Sequence, residues 1–131
     1  MTDRVFLDAN VLFSAAWLED SGLARLWRLA GVALVTSRYA VGEAERNLDT
    51  DAQRTRLHAL AKEMLIVDAP EGAALPDDVD LVAKDVPILL AAIEAQATHL
   101  LTGDRAHFGA LYARKIGGVK VMLPAAYHKR R

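Results

Sequence analysis

The sequence predicts an α/β domain built on a mainly parallel sheet, and three observations carry that expectation. Short apolar runs, among them RVFL, VALV, LIV, HLL and VKVML, recur along the chain. Between them lie stretches whose apolar residues repeat at helical spacing. The runs are apolar on consecutive residues and do not alternate, so both faces of each strand are expected to be covered by helices.

The elements follow in order. RVFL (Arg4 to Leu7) reads as a short buried strand, and Val11 to Trp17 as a helix. After the turn signal EDSG, Leu23, Leu26, Trp27 and Leu29 repeat at helical spacing. VALV (Val32 to Val35) is the second strand. Ser37 then caps a helix with Ala40, Val41, Ala44 and Leu48 on one face. Leu57, Leu60, Ala61 and Met64 mark another helix, followed by the strand LIV (Leu65 to Val67). APEGAALPDDVD is rich in Pro, Gly and acids and reads as a loop without a domain boundary. A long helix is expected from Asp85 to about Ala97, then the strand HLL, and a last strand at Val119 to Leu123.

With 131 residues the chain is expected to form one domain, 1–131, ending in a short basic tail, HKRR. It has no cysteine, which excludes disulfides, thiol chemistry and Cys-type zinc sites. The start MTDRVFLDA runs into a strand and is not expected to be a secretory leader. The richest apolar stretch is broken by Glu94, Gln96 and His99, too early for a membrane span. A soluble, cytoplasmic protein is expected. Net charge is −1, so contact with nucleic acid would need a local basic patch.

Four acids draw attention, and each has a structural explanation. Asp8 follows the first strand and can cap the next helix. Asp104 follows HLL-Thr102-Gly103 and can bond its own turn. Asp85 stands as an N-cap ahead of Pro87. Glu43 and Glu45 flank one apolar helix face, and periodicity does not choose between them. Jointly, however, two of the acids end strands and a third opens the helix that feeds one of those strands. In a parallel sheet the functional edge lies beyond the carboxyl ends of the strands, so the acids converge there. Carboxylates about 4 Å apart repel by about 4 kcal/mol at an effective dielectric near 20. No lysine or arginine in these motifs is an obvious internal counter-ion, although Arg105, beside Asp104, can partly serve. A divalent ion with oxygen ligands, Mg²⁺ or Mn²⁺, relieves that repulsion and activates water against phosphodiesters.

VFLDANVLFSA, SRYAVGEAERNL, KDVPILLAA and LLTGDRAHF together resemble the PIN-domain ribonucleases, in particular the toxin components of bacterial toxin–antitoxin pairs. The likeness runs from Val5 to Leu123, with the Asp8 and Thr102-Gly103-Asp104 motifs its specific parts. It implies a three-layer α/β/α sandwich in which Asp8, Glu43, Asp85 and Asp104 bind one or two Mg²⁺ or Mn²⁺ ions, and it favours Glu43 over Glu45. Asn10 and Thr102 match the polar positions that support such a cluster. His107 falls where a polar residue often stands, and is read as structural. The implied activity is cleavage of single-stranded RNA by activated water, leaving 5′-phosphate and 3′-hydroxyl ends. A homodimer and a cognate antitoxin are implied as partners.

Two other functions compete. FLDAN loosely resembles the Asp-x-Asp signature of haloacid-dehalogenase phosphatases, but Asn10 stands where the second aspartate is needed. A non-catalytic RNA- or protein-binding module on the same fold is the other. Arg105, Lys129, Arg130 and Arg131 are candidate RNA contacts, as are Arg114, Lys115 and Lys120. RTR (Arg54 to Arg56) with Lys62 reads better as solvated surface. Trp17, Leu18 and Trp27 belong either to the core or to a partner-binding face.

Overall fold

The structure, a computed structural model, describes residues 2–130. Its elements run β1 (Asp3–Leu7), α1 (Ala9–Trp17), β2 (Val32–Ser37), α2 (Arg38–Asn47), α3 (Asp51–Lys62), β3 (Leu65–Val67), α4 (Val86–Glu94), β4 (His99–Leu101), α5 (Arg105–Phe108), β5 (Lys115–Ile116), β6 (Val119–Met122) and α6 (Pro124–Lys129). The sheet order is β3-β2-β1-β4-β6-β5, parallel throughout except for β5, which pairs antiparallel with β6. Parallel neighbours are joined by right-handed crossovers. The chain steps one way through β1, β2 and β3, which puts α1, α2 and α3 together on one face, packed on one another. It then returns across the sheet to β4, which puts α4 on the other face. The result is the α/β/α sandwich.

The central strands are sealed from water. Val5, Phe6, Leu7, Leu100, Leu101 and Val121 are fully buried, and burying each such side chain stabilises the fold by roughly 1.5–3 kcal/mol. β1 and β4 lie side by side with Leu7 level with Leu101. From this pair the chain departs in opposite directions, β1 towards β2 and β4 towards β6, so a crevice opens at their carboxyl ends. Asp8 and Thr102 are the first residues beyond the two strands.

Several elements differ from the sequence expectation. Gly22–Arg28 is a 3-10 helix that buries only Leu26, because seven residues opening on glycine bring too few apolar groups to hold an α-helical face. The long helix expected from Asp85 starts as a 3-10 turn at Ala83–Asp85 and ends at Glu94. Gln96 adopts a left-handed φ of 55° that no helix continues through. The two-residue strand β5 is too short to show a pattern. His128 and Lys129 of the basic run fall in the last turn of helix α6, whose buried Tyr127 donates to Asp3 at 2.7 Å. Arg131 lies outside the described residues.

The arginines of RTR also do more than sit in solvent. Arg56 donates to the carbonyls of Ala16 (3.0 Å) and Trp17 (3.1 Å), and Arg54 to that of Leu48 (2.7 Å). They satisfy the unpaired carbonyls at the ends of α1 and α2. Trp27 is half-buried and donates to the Leu60 carbonyl at 3.0 Å, whereas Trp17 and Leu18 are exposed. Among the described residues no helix is long and apolar enough to cross a membrane.

Candidate metal centre

Asp8 is buried directly beyond β1. One carboxylate oxygen accepts from the Ala9 N–H at 2.6 Å and so caps α1. The other accepts from the Thr102 hydroxyl at 2.7 Å and the Asn10 amide at 3.2 Å. Burial pushes the Asp8 carboxyl up from 3.8 to about 6; the Thr102 and Ala9 hydrogen bonds oppose the rise, and the charges of Asp85 and Glu43 add to it.

Thr102 and Asn10 join the two strand ends. The fully buried Thr102 hydroxyl gives its one proton to Asp8 and accepts from the Asp104 N–H at 3.1 Å and from Asn10 at 3.2 Å. The Asn10 carbonyl oxygen accepts from the Gly103 N–H at 2.9 Å. A Cβ on Gly103 would stand 3.5 Å from that same oxygen. The loop beyond β4 is thereby held against the loop beyond β1.

Asp104 divides its oxygens. Oδ1 caps α5 by accepting from the His107 N–H at 3.1 Å, and Oδ2 lies 2.9 Å from the His107 imidazole Nδ1. Asp85 is buried and occupies the N-cap position of α4, yet its side chain makes no capping bond there. Its Oδ2 lies 2.7 Å from the same Nδ1. The two atoms meet without the alignment of a hydrogen bond, and among the described residues both are buried with no hydrogen-bond partner. Tyr39 on α2 fixes the turn before Asp85 by donating to the Lys84 carbonyl at 2.5 Å.

Asp8, Glu43, Asp85 and Asp104 all line one open cleft of about 420 Å³, together with Asn10, Phe13, Asn47 and Lys84. Glu43 thus faces the other acids, while Glu45 on the same helix turns away to pair with His58 on α3. Arg105 begins α5 beside Asp104 but does not line the cleft. Lys129 and Arg130, at the end of α6, do not line the cleft, and Lys129 lines a separate hollow with Ser21 and Arg25. Arg130 touches Met122 and adds its charge near His99, whose imidazole burial holds below the ordinary value. The cation in the cleft wall is Lys84, which the sequence reading passed over.

His107, read from the sequence as structural, contacts two of the acids. It stands behind Asp85 and Asp104 and brings its nitrogen to both. The available signal was its spacing, three residues after Asp104, which puts both side chains on one face of a helical turn.

A divalent ion fits these residues. The buried Asp85 oxygen has no hydrogen-bond partner among the described residues, and one atom each of Asp85, Asp104 and His107 lies within 4.8 Å of the others. Carboxylates and one imidazole are the donor types that such ions accept.

No family model matches the chain, and no curated protein does. Among solved structures it is similar to VapBC2 from Rickettsia felis, determined bound to a DNA fragment from their promoter. The TM-score is 0.63 at 13% identity, and the match covers 92% of this chain and 98% of that one. At that identity the likeness speaks for the fold. The chain therefore has a PIN-like fold, the three-layer sandwich that its motifs anticipate.

Proposed function

We propose that the protein is a metal-dependent endoribonuclease that hydrolyses phosphodiester bonds in single-stranded RNA, and the toxin of a cytoplasmic toxin–antitoxin pair. The observation that carries this reading is the convergence of Asp8, Glu43, Asp85 and Asp104 on one cleft at the switch point of the sheet. When bound, Mg²⁺ or Mn²⁺ supplies positive charge for the phosphate and a water ready to attack. Asp8, Asp85 and Asp104 would hold the ion from the starts of α1, α4 and α5. Glu43, on α2 across the cleft, would complete the site or orient water. Lys84 offers the RNA backbone a positive charge at the cleft wall. The fold shared with VapBC2 supports the toxin assignment and a cognate antitoxin as partner, and a homodimer belongs to the same reading.

The phosphatase alternative loses its acid here. Asn10 stands where the second aspartate is needed, its amide bonded to Asp8 and Thr102 and its carbonyl accepting from Gly103. The test is cleavage of single-stranded RNA by purified protein in Mg²⁺, in Mn²⁺ and in EDTA, with Asp8→Asn as control. Metal-dependent cuts bearing 5′-phosphates, lost in the variant, are expected. Undiminished cleavage in chelator, or binding of RNA with no turnover in either metal, would overturn the assignment.

A further inference from the structure

His107 is not among the four acids of the proposed nuclease site, yet its imidazole reaches two of them. Its Nδ1 lies 2.7 Å from Asp85 Oδ2 and 2.9 Å from Asp104 Oδ2. Neither approach is a hydrogen bond, and among the described residues the nitrogen and the Asp85 oxygen are buried without a partner. One atom each of His107, Asp85 and Asp104 thus stands close enough to the other two to share a single ion. Adjacent donors around an octahedral ion with bonds of about 2.1 Å stand roughly 3 Å apart, close to the separations seen here.

We propose that His107 Nδ1 is a metal ligand alongside Asp85 and Asp104, and that this imidazole makes the cleft select Mn²⁺ over Mg²⁺. The proposal rests on reading the cleft as a metal site and does not require that it cuts RNA. Mg²⁺ is a hard ion that takes oxygen donors and gives up water reluctantly. Imidazole nitrogen favours first-row transition ions, and affinity within that row rises from Mn²⁺ onwards. Two carboxylates keep the site anionic enough for a divalent ion, and one nitrogen separates the two candidates. The position is built to keep its geometry. The His107 backbone N–H is bonded to Asp104 Oδ1, so the ligand pair is locked on the first turn of α5. The other described histidines lie elsewhere: His58 pairs with Glu45, His99 sits in β4, and His128 lines a separate surface hollow.

The test is pulsed electron paramagnetic resonance of Mn²⁺ bound to the purified protein, with titration calorimetry of Mn²⁺ and Mg²⁺ on wild type and His107→Gln. Nitrogen-14 modulation of the Mn²⁺ signal is expected in wild type, replaced by the nitrogen-15 pattern after labelling with ¹⁵N-histidine. Wild type should bind Mn²⁺ at least tenfold more tightly than Mg²⁺, and His107→Gln should lose most of that ratio while keeping Mg²⁺ affinity within a few-fold. If the variant fails to fold, the labelled wild-type spectrum decides alone. Bound Mn²⁺ without nitrogen coupling would overturn the proposal and leave His107 as a counter-ion to the two aspartates; coupling that persists in His107→Gln would overturn it equally. Absence of Mn²⁺ binding would remove this proposal and the metal reading together. Nitrogen-coupled Mn²⁺ in a protein that leaves RNA intact would remove only the nuclease reading.

Discussion

Asp8 accepts hydrogen bonds on both oxygens, yet burial still lifts its carboxyl to about 6. An acid whose folded value lies above its unfolded 3.8 binds protons more tightly when folded. Its contribution to stability is full below 3.8 and is lost as pH rises through 6. In the metal-free protein, lowering the pH from 8 to 4 should therefore stabilise wild type relative to Asp8→Asn. The gain is at most about 3 kcal/mol, the gap between the two values at 1.36 kcal/mol per pH unit. Denaturant melts in chelator across that range check this, and a pH-independent difference between the proteins would refute it. The hydrogen bond that asparagine loses to Ala9 shifts both ends of the comparison alike. Lys84 makes a different prediction. Lys84→Ala should weaken single-stranded RNA binding and lower the salt slope by about 0.7, one phosphate contact, in filter binding from low to moderate salt. An unchanged slope would place the backbone elsewhere. At this scale the acids were legible because aspartates at strand ends have a geometric meaning. His107 was not, because a lone histidine in a sequence shows neither its distance from Asp85 nor the missing hydrogen bond.

The elements show how much of the sandwich rests on local pattern. β1, β2, β4 and β6 were readable as apolar runs because strands covered on both faces are apolar throughout, whereas β3, an edge strand with Leu65 exposed, was readable from its apolar composition alone. The 3-10 turns and the early end of α4 were not, since periodicity marks a face and does not show whether enough residues are present to hold a helix. Arg54 and Arg56 were read as surface because charge patterning is blind to carbonyls arriving from another helix. The last turn of α1 contains no basic residue of its own, and Arg56 on α3 supplies one. Arg56→Ala should cost about 1–2 kcal/mol through loss of two charge-assisted bonds. For a domain of this size that lowers the melting temperature by roughly 3–8 °C. Arg56→Lys should recover only part, because an ammonium cannot present the guanidinium fork to two carbonyls. Thermal melts of the three proteins decide it, and equal melting of wild type and Arg56→Ala would count the contact as worthless.

Across the whole molecule, the cleft gathers groups that no single element holds. Asp8 follows β1, Glu43 belongs to α2, Asp85 opens α4 and Asp104 opens α5, so the site exists only when β1 and β4 are paired and α2 and α4 are docked. An ion that needs several of these ligands binds the folded chain and not the unfolded one. Its stabilisation then follows mass action, about 2.7 kcal/mol at a free concentration one hundred times its dissociation constant. That corresponds to a rise of about 10 °C in melting temperature for a chain of this length. Mn²⁺ or Mg²⁺ at that level should produce the shift at constant ionic strength, and EDTA should reverse it. Asp8→Asn combined with Asp104→Asn should nearly abolish it, while preserving the cap on α5, since asparagine serves there as well as aspartate. Glu45→Gln, on the same helix as Glu43 but paired with His58, should keep the full shift. A metal effect of equal size in the double variant would mean that the ions act on the surface at large, and the convergence of the four acids would lose its meaning as a binding site.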